Sequence, residues 1–230
     1  MISRRQLRIK ALAVLYACNR KELNDLDTAE QELLLSIRKS YDLYHYLLLL
    51  LIALSDLARG KVVLSGTKRI PGPEDLNPNT RFAENRVITQ LRNNEALRIY
   101  SQTAPALWTK KDKLNSMRTL SRWLSTQGLS WSEHPEVVRI VYNEMSSWET
   151  FIEYMNSEDN SYRADQRFIK ELVTKLFPAS EELASSLEEQ SVYWNDDLPF
   201  VAAMIRNSVA KFKEHDDGRA IPMPPLFTND

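Results

Sequence analysis

The stretch Tyr41-Asp42-Leu43-Tyr44-His45-Tyr46-Leu47-Leu48-Leu49-Leu50-Leu51-Ile52-Ala53-Leu54 decides the fold of this chain. From Tyr46 to Leu54 it is apolar without interruption. That run is far below the roughly 18–20 apolar residues a membrane helix needs. Tyr41, Asp42 and His45 precede it, and Asp56 and Arg59 follow it, so it reads as a core helix and not as a span. Leu33, Ile37, Tyr41, Tyr44, Leu48, Leu51 and Leu54 keep helical spacing across it. Thr28-x-x-Gln31 is a capping box at the front and Gly60 a stop at the back, which predicts one long helix reaching about Ala58.

Outward from this helix the chain reads as helical almost throughout. There are only five glycines, and β-branched runs are short. A first helix is expected from about Arg4 to Arg20, opened by the box Ser3-x-x-Gln6 and broken by Asn24-Asp25 and Asp27. Beyond Lys10 it is apolar nearly all round, so it is expected to be central, contacted on several sides, with Leu12 and Leu15 buried. The short connection predicts that it packs antiparallel on the N-terminal part of the long second helix. Residues 1–60 thus form a helical pair, and 61–79, with Gly66, Pro71, Gly72, Pro73 and Pro78, form a loop. Residues 80–213 hold additional helices: about Thr80 to Ser101 with Phe82, Val87, Ile88 and Leu91 inward, then 112–126, 135–157, 162–176, 180–190 and 198–213. Residues 214–230, with Gly218, Pro222, Pro224 and Pro225, read as a linker or disordered tail. The expected class is all-α, a helical bundle.

Composition narrows the function. The chain has 230 residues, 43% hydrophobic and 27% charged, with a formal net charge of −1. Those are ordinary globular values, so any nucleic-acid role must rest on a local patch. The single cysteine, Cys18, excludes an internal disulfide, suits a reducing compartment and reads as a small buried hydrophobe. With neither a span nor a signal peptide expected, the reading is cytoplasmic. His45, His134 and His215 lie far apart, and no Gly-rich phosphate loop or nucleophile elbow occurs. The acid pairs Glu181-Glu182, Glu188-Glu189 and Asp196-Asp197 read as solvated helix faces. The chain is therefore read as a binding protein, not an enzyme, without cofactor or metal.

The start of the first helix carries the binding argument. Arg4, Arg5 and Arg8 sit at the end of a helix where cations oppose the macrodipole. Arg4 and Arg8 are four apart, and Arg5 and Arg8 three apart, so they also repel one another. No acidic residue occurs before Glu22. A polyanion such as nucleic-acid phosphate turns this cost into a gain. A solvated, solubilising helix end is the plain alternative. A second basic stretch, Trp108, Lys110, Lys111, Lys113, Arg118, Arg122 and Trp123, mixes cations with rings, as single-stranded nucleic-acid sites do. Leu114, Met117, Leu120 and Leu124 also make an ordinary core stripe there, with the lysines on its solvated side. Lys110, Lys111 and Lys113 are thus a secondary RNA-binding candidate.

The order Arg4-Arg5, Arg8, Ala11-Leu12 and Leu15-Tyr16 resembles the opening of NusB, the bacterial transcription antitermination factor. Glu32 to Lys39, Tyr41 to Tyr44 with the following leucines, Asp75 to Phe82 and Tyr193 to Leu198 extend the resemblance to the long, insertion-bearing NusB form. It is strongest from Met1 to Leu91. What it implies is an all-helical protein that binds a boxA-like element of nascent RNA. The implied partners are the ribosomal protein NusE and the RNA polymerase complex, in support of ribosomal RNA transcription. By motif position the RNA contact falls on Arg4, Arg5 and Arg8, with Tyr16 as a supporting position. The family's second helical half has no counterpart before Asp230, so a truncated or shortened relative is expected. A non-enzymatic helical interaction or scaffold module is the other reading of the same features.

Overall fold

The computed structural model describes residues 4–20, 25–67, 69–70, 72, 76–108 (103–108 as backbone), 130–194 and 196–223. It is all-α, with no strand among the described residues. In chain order the helices are α1 (Arg4–Arg20), α2 (Leu26–Ser65), α3 (Arg86–Asn93), α4 (Glu95–Trp108), α5 (Pro135–Ser147) and α6 (Glu149–Asn156). There follow α7 (Tyr162–Glu171), α8 (Glu181–Gln190) and α9 (Leu198–Val209). Among the described residues no helix is long and apolar enough to cross a membrane.

The centre of the bundle is α2. Every residue from Asp42 to Leu48 is buried, as are Leu50, Leu51 and Leu54. Seven consecutive buried positions cover all directions around a helix, so neighbours must pack on every side. α1, α3, α4, α5 and α9 supply them. Tyr46 is stacked between Trp131 (centroids 4.2 Å) and Trp194 (5.6 Å). The indole N–H of Trp131 donates to Tyr46 O at 2.8 Å, and that of Trp194 to Lys39 O at 2.7 Å. Both ring N–H groups are thereby satisfied inside the core.

The expectation that α1 is the central helix is overturned. α1 packs antiparallel on α2 as expected: Lys10 faces Ser36 at 3.0 Å, and Gln6, one turn nearer the N-terminus, reaches the same carboxylate as Ser40, one turn further on. Yet only Lys10 and Val14 of α1 are buried. Ile9, Leu12 and Leu15 are 49%, 68% and 56% exposed. With the faces of α2 already taken, α1 finds one neighbouring surface, and its remaining apolar positions face outward. Cys18 is half-buried.

Several boundaries also move. α2 starts at Leu26, capped by Asp25, which accepts from Asp27 N at 3.1 Å and from the Thr28 hydroxyl; Thr28 is not the cap. It runs through Gly60 to Ser65, because a single glycine inside a packed helix costs only about 1 kcal/mol. The expected third helix is two. Asn94 turns to ψ 116°, and its carboxamide oxygen accepts from Leu97 N at 2.8 Å, which caps α4. The α4 backbone then stays helical to Trp108, through Pro105, where an irregular stretch was expected. The 135–157 segment breaks at Trp148 into α5 and α6. After α7 the chain passes through a π-helical turn, Leu172–Leu176. In it the backbone N–H of Phe177 donates to the carbonyl of Leu172, five residues back.

The tail is not a linker over its described part. Gln90 Nε2 donates to the carbonyls of Lys213 and Asp216, each at 2.7 Å. Asn94 Nδ2 donates to those of Gly218 (2.9 Å) and Ile221 (2.8 Å). Gly218 adopts φ 91° with its α-carbon against the Gln90 backbone. Residues 214–223 are thus strapped across α3 and the start of α4.

Candidate nucleic-acid interface

The candidate surface is the outward face of α1. Arg4, Arg5 and Arg8 are exposed, and none has a carboxylate partner among the described residues. Helical spacing continues this face through Ile9, Leu12, Leu15 and Tyr16. Tyr16 is 61% exposed, so it does not pack the helix onto α2 and its ring is free to meet a ligand. From Arg4 to Tyr16 the face is about 18 Å long at ~1.5 Å per residue. No Asp or Glu lies on α1. The structure therefore brings all four candidate residues onto one face, cations at its start and apolar surface beyond.

What holds this face in place is a buried polar knot under it. Lys10 follows the three arginines in sequence, yet it is 7% exposed and turned inward. Its Nζ lies 2.8 Å from Asp197 Oδ2 and 3.0 Å from Ser36 Oγ. Ser40 Oγ donates to the same carboxylate oxygen at 2.6 Å, and Gln6 Nε2 reaches Oδ1 at 3.5 Å. Asp197 is 3% exposed, so the reading of the Asp196-Asp197 pair as a solvated face is corrected for Asp197, while Asp196 is exposed. A buried charge left single is costly, which is why ammonium, carboxylate and hydroxyls converge here. Nothing in the spacing of residues 187 apart announces this knot.

The other acid pairs stay as expected: Glu181, Glu182, Glu188 and Glu189 are exposed. His134 stands at the N-cap of α5 and His45 is buried in α2. Lys110, Lys111 and Lys113 lie outside the described residues. No group of three or more His, Cys, Asp and Glu side chains able to hold a metal occurs among the described residues.

A second titratable cluster lies in the core. The Tyr100 hydroxyl donates to Asp42 Oδ1 at 2.5 Å, and its ring stacks on His45 at 3.7 Å. Burial pushes the Asp42 carboxyl up to about 6, with the Tyr100 hydrogen bond and Lys39 pulling the other way. Burial pushes His45 down to about 4 against the carbonyl of Tyr41, 2.9 Å from its Nδ1. Asp42 and His45 are both buried, with Tyr41, Tyr44 and Tyr100 packed around the His45 ring, so the cluster belongs to the core.

No family model, no curated protein and no solved structure matches this chain.

Proposed function

We propose that this chain is a non-enzymatic, RNA-binding transcription antitermination factor of the NusB type, acting in the cytoplasm, with the outward face of α1 as its RNA surface. The observation that carries the reading is the set Arg4, Arg5 and Arg8: three exposed cations on one anchored helix, without carboxylate partners among the described residues. Phosphates of a single strand would meet the arginines, and an unstacked base would meet the Tyr16 ring. The order of residues in α1 supports a boxA-like RNA element as ligand, with NusE and the RNA polymerase complex as partners.

The test is a salt titration with a labelled single-stranded RNA that carries a boxA-like element, read by fluorescence anisotropy. Each phosphate neutralised on a single strand contributes a slope of about −0.7. Replacing Arg4, Arg5 and Arg8 together with alanine flattens the slope by about two units and leaves the thermal melt unchanged. Replacing Lys110, Lys111 and Lys113 changes much less. If the lysine variant loses binding and the arginine variant keeps it, the α1 surface is wrong.

One observation favours a second reading, a helical protein-interaction module. Leu12, Leu15 and Tyr16 expose more apolar surface than a phosphate-binding face needs. An RNA affinity indifferent to all three arginines, with Leu12 and Leu15 needed to capture a protein partner, would favour that reading.

A further inference from the structure

The C-terminal third of α2 does something that core packing does not require. Beyond Ala58 it forms, with α5, α6 and the segment before α3, a groove of about 720 Å³. That size falls in the range of small-molecule sites, roughly 300–1,000 Å³. The floor is buried and apolar: Ala58 from α2, Phe82, and Phe151 from α6. Val62 and Met155 form half-buried walls. Among the described residues no Asp or Glu lines the groove, and Lys61 is the single charged one.

Arg86 and Arg92 have carboxylate partners at 2.8 and 2.7 Å, whereas Lys61 has none among the described residues. Its Nζ sits 3.9 Å from the centre of the Tyr142 ring, itself part of the groove. A ring face orients an ammonium without neutralising it. Partial burial and the nearby charge of Arg139 both lower the pKa of the Lys61 ammonium, so its surroundings favour an added negative charge. A trough with an apolar floor, Ser65, Asn77, Asn79 and Asn156 in the rest of its lining, and one cation without a carboxylate partner among the described residues is complementary to a molecule with an apolar body and a single anionic end.

We propose that this groove binds a small amphiphilic carboxylate, with the apolar body on Ala58, Phe82 and Phe151 and the carboxylate on Lys61 Nζ. The site is separate from the α1 face and stands whether or not that face binds RNA.

The experiment uses the full chain and the fluorescent probe anilinonaphthalene sulfonate, an apolar anion, displaced by decanoate or by uncharged decanol. Decanoate is expected to displace the probe, and decanol to do so at least about fivefold less well, the difference of one charge-assisted contact. Lys61→Gln weakens probe and decanoate binding about tenfold. Val62→Trp, which fills the groove from a half-buried wall, removes displaceable binding. Leu12→Ser with Leu15→Ser, on the distant α1 face, leaves it intact. Melts of each variant establish that it is folded, and Lys61→Gln, at an exposed position, serves if Val62→Trp does not fold. The proposal is overturned if decanoate displaces no probe or if the Lys61 variant binds like the parent. It is equally overturned if a folded Val62→Trp chain retains binding, or if the α1 variant is the one that loses it.

Discussion

Lys10 Nζ and Asp197 Oδ2 stand 2.8 Å apart with both side chains buried, and this pair ties α1 to the start of α9. Removing one partner strands the other as an uncompensated buried charge, at a cost of about 3–5 kcal/mol. Lys10→Met and Asp197→Leu are each expected to destabilise by that amount in urea denaturation. The double variant, which leaves neither charge, is expected to recover much of the loss. Lys10→Met also loosens the seat of α1, so under the proposed function RNA affinity is expected to fall although no exposed charge is removed, with the salt slope that of the parent.

The leucines of α1 and α2 separate by burial. Leu12→Ala and Leu15→Ala, at 68% and 56% exposure, are expected to cost under about 1 kcal/mol. Leu47→Ala and Leu51→Ala, with no exposure, are expected to cost about 2–5 kcal/mol each. Thermal melts of the four variants check this. Equal losses in both helices would mean that α1 is covered in solution.

Gly218→Ala tests the docked tail. An added Cβ would lie 2.2 Å from Gln90 O at a backbone φ of 91°. The conformation alone costs a non-glycine residue about 1–2 kcal/mol, and the clash forces the strap off α3. The expected result is a loss above about 2 kcal/mol, with faster amide exchange at Gly218 and Ile221. A neutral substitution would show that residues 214–223 contribute nothing to the fold.

Acid dependence follows from Asp42 and His45, which both touch Tyr100; Tyr41 and Tyr44 lie against the His45 ring, and Lys39 pairs with Asp42 at 3.7 Å. Burial raises Asp42 from 3.8 to about 6, so the fold favours its protonated form. Its contribution is full below pH 3.8 and is lost as pH rises through about 6. Burial lowers His45 from 6.5 to about 4, so the fold favours its neutral form. That contribution is full above pH 6.5 and is lost as pH falls through about 4. The two oppose each other over the same window. Relative to the parent, Asp42→Asn is expected to lose stability on acidification across it, and His45→Gln to gain, each by roughly 1–3 kcal/mol. Denaturant midpoints from pH 6.5 to pH 4 check the signs; parallel curves for all three proteins would refute them.

The all-α class, the long central apolar helix and the inward set Phe82, Val87, Ile88 and Leu91 are written in local spacing, because helix periodicity and burial of one stripe are properties of short windows. Arg4, Arg5 and Arg8 were legible as one charged helix face for the same reason, whereas Tyr16 entered only through the resemblance. Which side of α1 meets α2 was not, since an all-round apolar helix has no preferred face until its neighbours are in place. Asn94 as a break and cap has a visible residue cause that periodicity alone overrides.

By itself the sequence determined that this protein is helical, that Tyr41 to Leu54 is core, and that a carboxylate-free basic helix opens the described chain. Local propensity and apolar spacing suffice for that. Only the tertiary structure decided that α2 rather than α1 is central, that Lys10 is an anchor rather than a surface cation, and that residues 214–223 are docked. Those outcomes depend on which of several apolar surfaces compete for one core, and on partners such as Asp197 that chain folding brings to Lys10 from 187 residues away.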